Sequence, residues 1–141
     1  MGKLYKEFEK IVGAENVFAS ESDRHAYSYD AAVLPPVVPA FAVQPRTTEE
    51  LGQTIALAYR HGVKITTRGA GTNLAGGTIP DSEDSIVVLT QRLNRILEIN
   101  AADMYAVVEP GVVTANFENA VATRGLFYPQ DPGSQAVSTI G

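Results

Sequence analysis

The chain has 141 residues, 45% of them hydrophobic, and a formal net charge of −5. That length supports a compact domain with its own core, and the even spread of Ile, Leu, Val and aromatic residues excludes a disordered chain. Scattered Lys and Arg, with Arg92 and Arg95 the nearest approach to a basic cluster, exclude a counterion-displacing nucleic-acid binder, and the absence of cysteine excludes disulfides, thiolate catalysis and Cys-based zinc sites.

In chain order, Leu4, Phe8, Ile11 and Val12 fall at i, i+4, i+7 and i+8, which predicts a helix ended by Gly13. Residues 14–40 read as irregular. Tyr29 and Asp30 are expected to pack this loop rather than act chemically, and the prolines of Leu34-Pro35-Pro36-Val37-Val38-Pro39 impose an extended entry into a sheet. Phe41 to Gln44 is a short strand stopped by Pro45. Thr47-Thr48-Glu49-Glu50 is a capping box that opens a helix. Leu51, Ile55 and Ala58 or Tyr59 supply its expected buried stripe, and Gly62 its left-handed end. Val63 to Thr67 alternates and is β-branched, hence a strand, and strand, helix and strand together predict a parallel βαβ unit.

Downstream, Ile86–Leu89, Leu97–Ile99 and Tyr105–Glu109 read as three short strands, spaced as a meander. A helix from about Thr114 to Arg124 should bury Phe117 and Val121, with Gly125 closing it, and Tyr128 to Ser134 is a turn-rich loop. The first eight residues carry no apolar h-region, and no apolar run approaches the ~20 residues that span a bilayer, so the expected location is cytoplasmic. His25 and His61 lack a local partner and are expected to be structural.

Chemistry concentrates in Thr66-Thr67-Arg68-Gly69-Ala70-Gly71-Thr72-Asn73-Leu74-Ala75-Gly76-Gly77-Thr78, directly after a strand. Small residues let successive amides converge on an anion; Thr72 and Asn73 add side-chain donors, and Arg68 adds a permanent positive charge. A diphosphate suits this set, while a turn that needs glycine for its dihedrals alone is the plainer reading. Gly71 and Gly76 have Walker A spacing, but Gly77 stands where that motif needs lysine. Gly69-Ala70-Gly71 begins like a Rossmann fingerprint, but Leu74 replaces the third glycine and no helix start follows.

Four segments in order carry a resemblance. They are Gln44-Pro45-Arg46-Thr47-Thr48-Glu49-Glu50, the Arg68–Gly77 loop, Val108-Glu109-Pro110-Gly111-Val112, and Pro129-Gln130-Asp131-Pro132-Gly133-Ser134 with Ser138-Thr139-Ile140-Gly141. With these the chain resembles the N-terminal part of the FAD-binding domain shared by vanillyl-alcohol oxidase and p-cresol methylhydroxylase, and within it the glycolate oxidase GlcD and D-lactate dehydrogenase branch. The resemblance implies an α+β fold: a parallel βαβ subdomain over about residues 1–80, then the start of a mixed-strand subdomain over about 81–141, with FAD between them.

The resemblance further implies that amides from Gly69 to Leu74 contact the diphosphate, with Arg68, Ala70, Gly71, Thr72, Asn73 and Gly77 completing the loop. Pro132, Gly133, Ser138, Thr139 and Gly141 are implied to lie along the flavin and its ribityl chain. With Asn73 and no histidine in the loop, FAD is expected to be held non-covalently. The family continues past Ser-Thr-Ile-Gly, so the substrate domain and catalytic base are expected outside these residues. The implied activity is oxidation of a small 2-hydroxy acid such as glycolate or D-lactate, with partner subunits of a multi-subunit oxidase as a further expectation. A non-catalytic subunit with the flavin fold is the alternative.

Overall fold

The computed structural model describes residues 2–141. Helix α1 (Gly2–Val12) buries Phe8 and Val12, as its stripe predicts, and ends at Gly13, which has φ 87°. A 3-10 turn at Ala14–Asn16 follows, and Asn16 Nδ2 donates to the Val12 carbonyl at 2.6 Å, occupying one of the acceptors that every helix C-terminus leaves free. Strand β1 (Val17–Phe18) and helix α2 (Glu21–Ala26) then lie within the stretch expected to be irregular. Ser20 caps α2 by accepting from the Asp23 amide at 3.2 Å, a signal available in the sequence.

Strand β2 (Phe41–Val43) leads into helix α3 (Thr48–Arg60), where Thr47 Oγ1 accepts from the Glu50 amide at 3.1 Å. The Glu50 carboxylate reaches back one residue further than a capping box requires, to the Arg46 amide at 2.7 Å. The buried stripe of α3 is Thr54, Leu57 and Ala58, with Leu51 at its margin; Ile55, expected inside, is exposed, and of the alternatives Ala58 and Tyr59 it is Ala58 that is buried. A threonine in mid-stripe disguised the true face. Its Oγ1 has no hydrogen-bond partner among the described residues.

Strands β3 (Ile65–Arg68) and β4 (Ile86–Leu89) complete a four-stranded sheet in the order β1-β2-β4-β3. Strands β2 and β3 are parallel, but β4 inserts between them and pairs with both. This corrects the meander. Ile86-Val87-Val88-Leu89 is apolar at every position and buried at every position, the signature of a central parallel strand covered on both faces. Alternation divides its partners: Phe41, Val43, Ile86 and Val88 face α1 and α3, while Ala42, Val87 and Leu89 face Phe18 and Tyr27.

Strands β5 (Ile96–Asn100) and β6 (Tyr105–Val108) form a separate antiparallel pair, and helix α4 (Thr114–Ala122) packs Phe117 and Val121 against it. Gly125, with φ 72°, follows that helix as expected. Phe117 meets Tyr128 edge-on, with ring centroids 4.9 Å apart.

Candidate functional site

Because β3 and β4 are parallel and Arg68 pairs with Leu89, both strands end at the same sheet edge. The glycine-rich loop leaves from that edge, where open α/β sheets place their ligands. Among the described residues, none of the backbone amides from Gly69 to Gly77 donates to another backbone group. Amide use resumes at Thr78, which reaches Asp30 Oδ2 at 3.4 Å, and at Ile79, which reaches the Gly76 carbonyl at 3.1 Å. The loop is part-exposed and lines a cleft, so amides without a protein partner there are donors left for solvent or for an anion. Gly71 and Gly76 carry φ of 73° and 75°, a backbone conformation that side chains disfavour.

The opposite wall comes from Pro110, Thr139 and Gly141, and the cleft between it and the loop measures about 590 Å³. Approach is close enough to demand glycine. A Cβ on Gly69 would meet Thr139 Oγ1 and stand 2.7 Å from the Gly141 carbonyl; one on Gly111 would meet the Thr90 carbonyl and stand 2.8 Å from Gln91 Cα. The Glu109 carboxylate fixes this wall by accepting from the Arg95 amide at 2.8 Å and from its Nε and Nη2 at 3.0 and 2.7 Å. Those bonds, side chain first, hold the Glu109 carboxyl below its ordinary range.

Arg68 lines the cleft, as expected, but part of its guanidinium is engaged within the protein. It is buried, its Nη1 donates to the Tyr29 carbonyl at 2.6 Å and to Thr78 Oγ1 at 3.3 Å, and its guanidinium lies 5.9 Å from the centre of the Tyr27 ring. A cation with a local carbonyl partner braces the loop from behind. The Asn73 side chain is likewise committed, donating to Asp30 Oδ2 at 2.7 Å. Burial pushes the Asp30 carboxyl up, but hydrogen bonds from the Ala32 amide, Asn73 and Thr78 outweigh it and hold the group below its usual value.

Of the residues expected to bind, Arg68, Gly69, Ala70, Gly71, Thr72, Asn73 and Gly77 line the cleft, and Thr139 and Gly141 face them. Leu74 is exposed and does not line it. Pro132, Gly133 and Ser138 lie outside it as well. Ser138 is buried against Thr114, with the two hydroxyl oxygens 3.0 Å apart, and Pro132 accepts from the Gln135 amide in a turn. Thr67, Thr78, Thr90 and Pro110 line the cleft without having been singled out; Pro110 sat within a recognised segment, whereas Thr90 has no local signal. His61 lies 3.8 Å from Glu7 and His25 is exposed on α2, both away from the loop. Among the described residues no cluster of His, Asp and Glu could hold a metal, and no helix is long and apolar enough to cross a membrane.

An uncommitted amide run facing a glycine-packed wall fits an anionic diphosphate. Residues 39–141 match the profile described as "FAD binding domain". The chain is 42% identical to glycolate oxidase subunit GlcD of Bacillus subtilis (strain 168), over 94% of this chain and 28% of that protein. It is 30% identical to D-2-hydroxyglutarate dehydrogenase of Stutzerimonas stutzeri (strain A1501), over 98% of this chain and 30% of that one. Superposition on p-cresol methylhydroxylase gives a TM-score of 0.84 at 21% identity, covering 97% of this chain and 27% of the other. The chain thus spans less than a third of the length of these relatives, and it belongs to the FAD-binding domain family, in the fold of p-cresol methylhydroxylase.

Proposed function

We propose that this chain supplies the diphosphate-binding part of an FAD-dependent oxidoreductase that oxidises a small 2-hydroxy acid, glycolate and D-lactate being the model substrates. The uncommitted amide run from Gly69 to Gly77 carries the cofactor half of this reading. The substrate half is supported by relatives whose names specify glycolate, D-2-hydroxyglutarate and D-lactate.

In this reading the amides of Gly69 to Asn73 and of Gly77 hold the diphosphate oxygens, while Arg68 and Asn73 shape the loop. Thr139 and Gly141 close the facing wall, and the backbone around Pro132, Gly133 and Ser138 follows the ribityl and flavin end. When bound, FAD would supply the two-electron oxidising capacity for a 2-hydroxy acid. The work of these residues is to bind, orient and exclude water. With Asn73 and no histidine in the loop, the cofactor is held non-covalently. Residues 1–141 form the N-terminal part of the FAD-binding domain, and the substrate groups and base belong to a further domain. The GlcD relatives are named as subunits, which supports an assembly with partner subunits.

The test is flavin content and turnover of the full-length protein. Yellow protein that releases intact FAD on denaturation and oxidises glycolate or D-lactate is expected. A Gly71→Val variant should lose FAD, because a side chain there meets the Arg68 guanidinium at a φ of 73°. A colourless native protein that takes up no added FAD, or a Gly71→Val protein with stoichiometric flavin, overturns the reading.

A further inference from the structure

The glycine-rich loop has almost no regular structure of its own, and what shapes it comes from about forty residues earlier. The Tyr29 carbonyl accepts from Arg68 Nη1 at 2.6 Å, and Leu34 lies over Gly76, its Cδ1 2.5 Å from where a Cβ would stand. Between them sits Asp30, 7% exposed. Its Oδ1 accepts from the Ala32 amide at 2.8 Å, which sets the orientation of the carboxylate. Its Oδ2 accepts from Asn73 Nδ2 at 2.7 Å and from the Thr78 hydroxyl at 3.2 Å, and it also meets the Thr78 amide. One oxygen thus gathers both ends of the 73–78 segment.

We propose that Asp30 is the positioning residue of this loop: by tying Asn73 to Thr78 from behind, it holds the preceding amides in an open, outward-facing arrangement before any cofactor arrives. The inference rests on reading the loop as a diphosphate cradle. A carboxylate near an anion site opposes the diphosphate by Coulomb repulsion, so its presence here is explained by geometry and not by contact with the ligand. Binding to a flexible loop is weakened by the entropy of ordering it, and a loop ordered in advance avoids that loss. Asparagine in place of Asp30 keeps the volume but leaves one acceptor oxygen, which cannot serve both the Ala32 amide and the Asn73–Thr78 pair.

Two measurements on the full-length protein test this. In FAD titrations, Asp30→Ala should weaken affinity about tenfold or more, and Asp30→Asn by a smaller factor, in line with the loss of buried hydrogen bonds to a charged group. Because Asp30 acts through Asn73, the Asp30→Ala/Asn73→Ala double variant should bind FAD about as weakly as Asp30→Ala alone. In FAD-free protein, thermolysin should nick the loop at Leu74 several-fold faster in Asp30→Asn than in native protein, at a urea midpoint that stays close to native. Losses that multiply in the double variant, FAD affinity within about twofold of native in both single variants, or unchanged nicking at Leu74 each overturn the proposal. If native protein binds no FAD, the functional reading falls while the nicking comparison still decides the role of Asp30.

Discussion

The Glu109 carboxylate is gripped by a single residue, Arg95, through its backbone amide at 2.8 Å and two guanidinium nitrogens at 3.0 and 2.7 Å, and the Glu109 amide returns a bond to the Arg95 carbonyl at 2.9 Å. The pair clamps the turn that presents Pro110 to the cleft. The Glu109 carboxyl titrates below its ordinary value in the folded chain, so folding favours the ionised form. The stability this contributes is complete above the unfolded value of about 4.3 and is lost as the pH falls through the lower folded value. Urea unfolding between pH 6 and 3 should therefore show stability falling on acidification, with a shallower slope in Glu109→Gln. Equal slopes in the two proteins would count against the clamp.

Gly69 separates two walls that would otherwise collide. Alanine there places a methyl group against Thr139 Oγ1 and the Gly141 carbonyl, whereas alanine at Gly77 meets nothing nearer than Asn73 Nδ2 at 3.8 Å. Overpacking of this kind costs about 1–3 kcal/mol, which corresponds to roughly tenfold or more in FAD affinity if the cleft yields before the core. Gly69→Ala should thus lose FAD affinity and Gly77→Ala should stay near native. A reversed order in FAD titrations would show that the wall of Thr139 and Gly141 does not close on the loop.

Elements set by local pattern were legible from the residues. The α1 stripe, the Thr47 cap of α3, Gly62 with φ 63° and the α4 pair Phe117 and Val121 all stand where spacing and residue chemistry put them. What escaped was non-local. Nothing near Ile86–Leu89 says that β4 slots between β2 and β3; only its unbroken apolarity hints at burial on both faces. The same holds within the cleft. Residue type told that Arg68 carries charge, but not that the Tyr29 carbonyl, 39 positions away, would claim it. Asp30 and Asn73 are 43 positions apart, and their bond exists only once the sheet has brought them together.

Thr54 is fully buried in the face of α3 that meets the sheet, and its hydroxyl finds no partner among the described residues. An unmade buried hydrogen bond costs about 1–3 kcal/mol, and valine reproduces the shape of threonine without the polar atom. Thr54→Val should raise the urea midpoint at unchanged m-value, by an amount equivalent to roughly 1 kcal/mol. An unchanged or lowered midpoint would mean that the hydroxyl is satisfied in solution.

Phe8 tests whether the cleft depends on the far face of the sheet. Its ring is fully buried and meets Phe41 of β2 at a centroid distance of 5.4 Å, on the face of the sheet that packs against α1 and α3. Phe8→Ala should cost about 3–5 kcal/mol, since a ring-sized cavity opens between α1 and β2. Unlike Gly69→Ala, it touches no residue of the cleft, so any loss of FAD must follow from loss of fold. Flavin release and the far-UV signal should therefore fall together along one denaturation curve in Phe8→Ala, while Gly69→Ala should lose flavin with its far-UV signal intact. Flavin leaving Phe8→Ala before the fold does would mean that packing beneath β2 tunes the loop directly, through the parallel strands β2, β4 and β3 that join them.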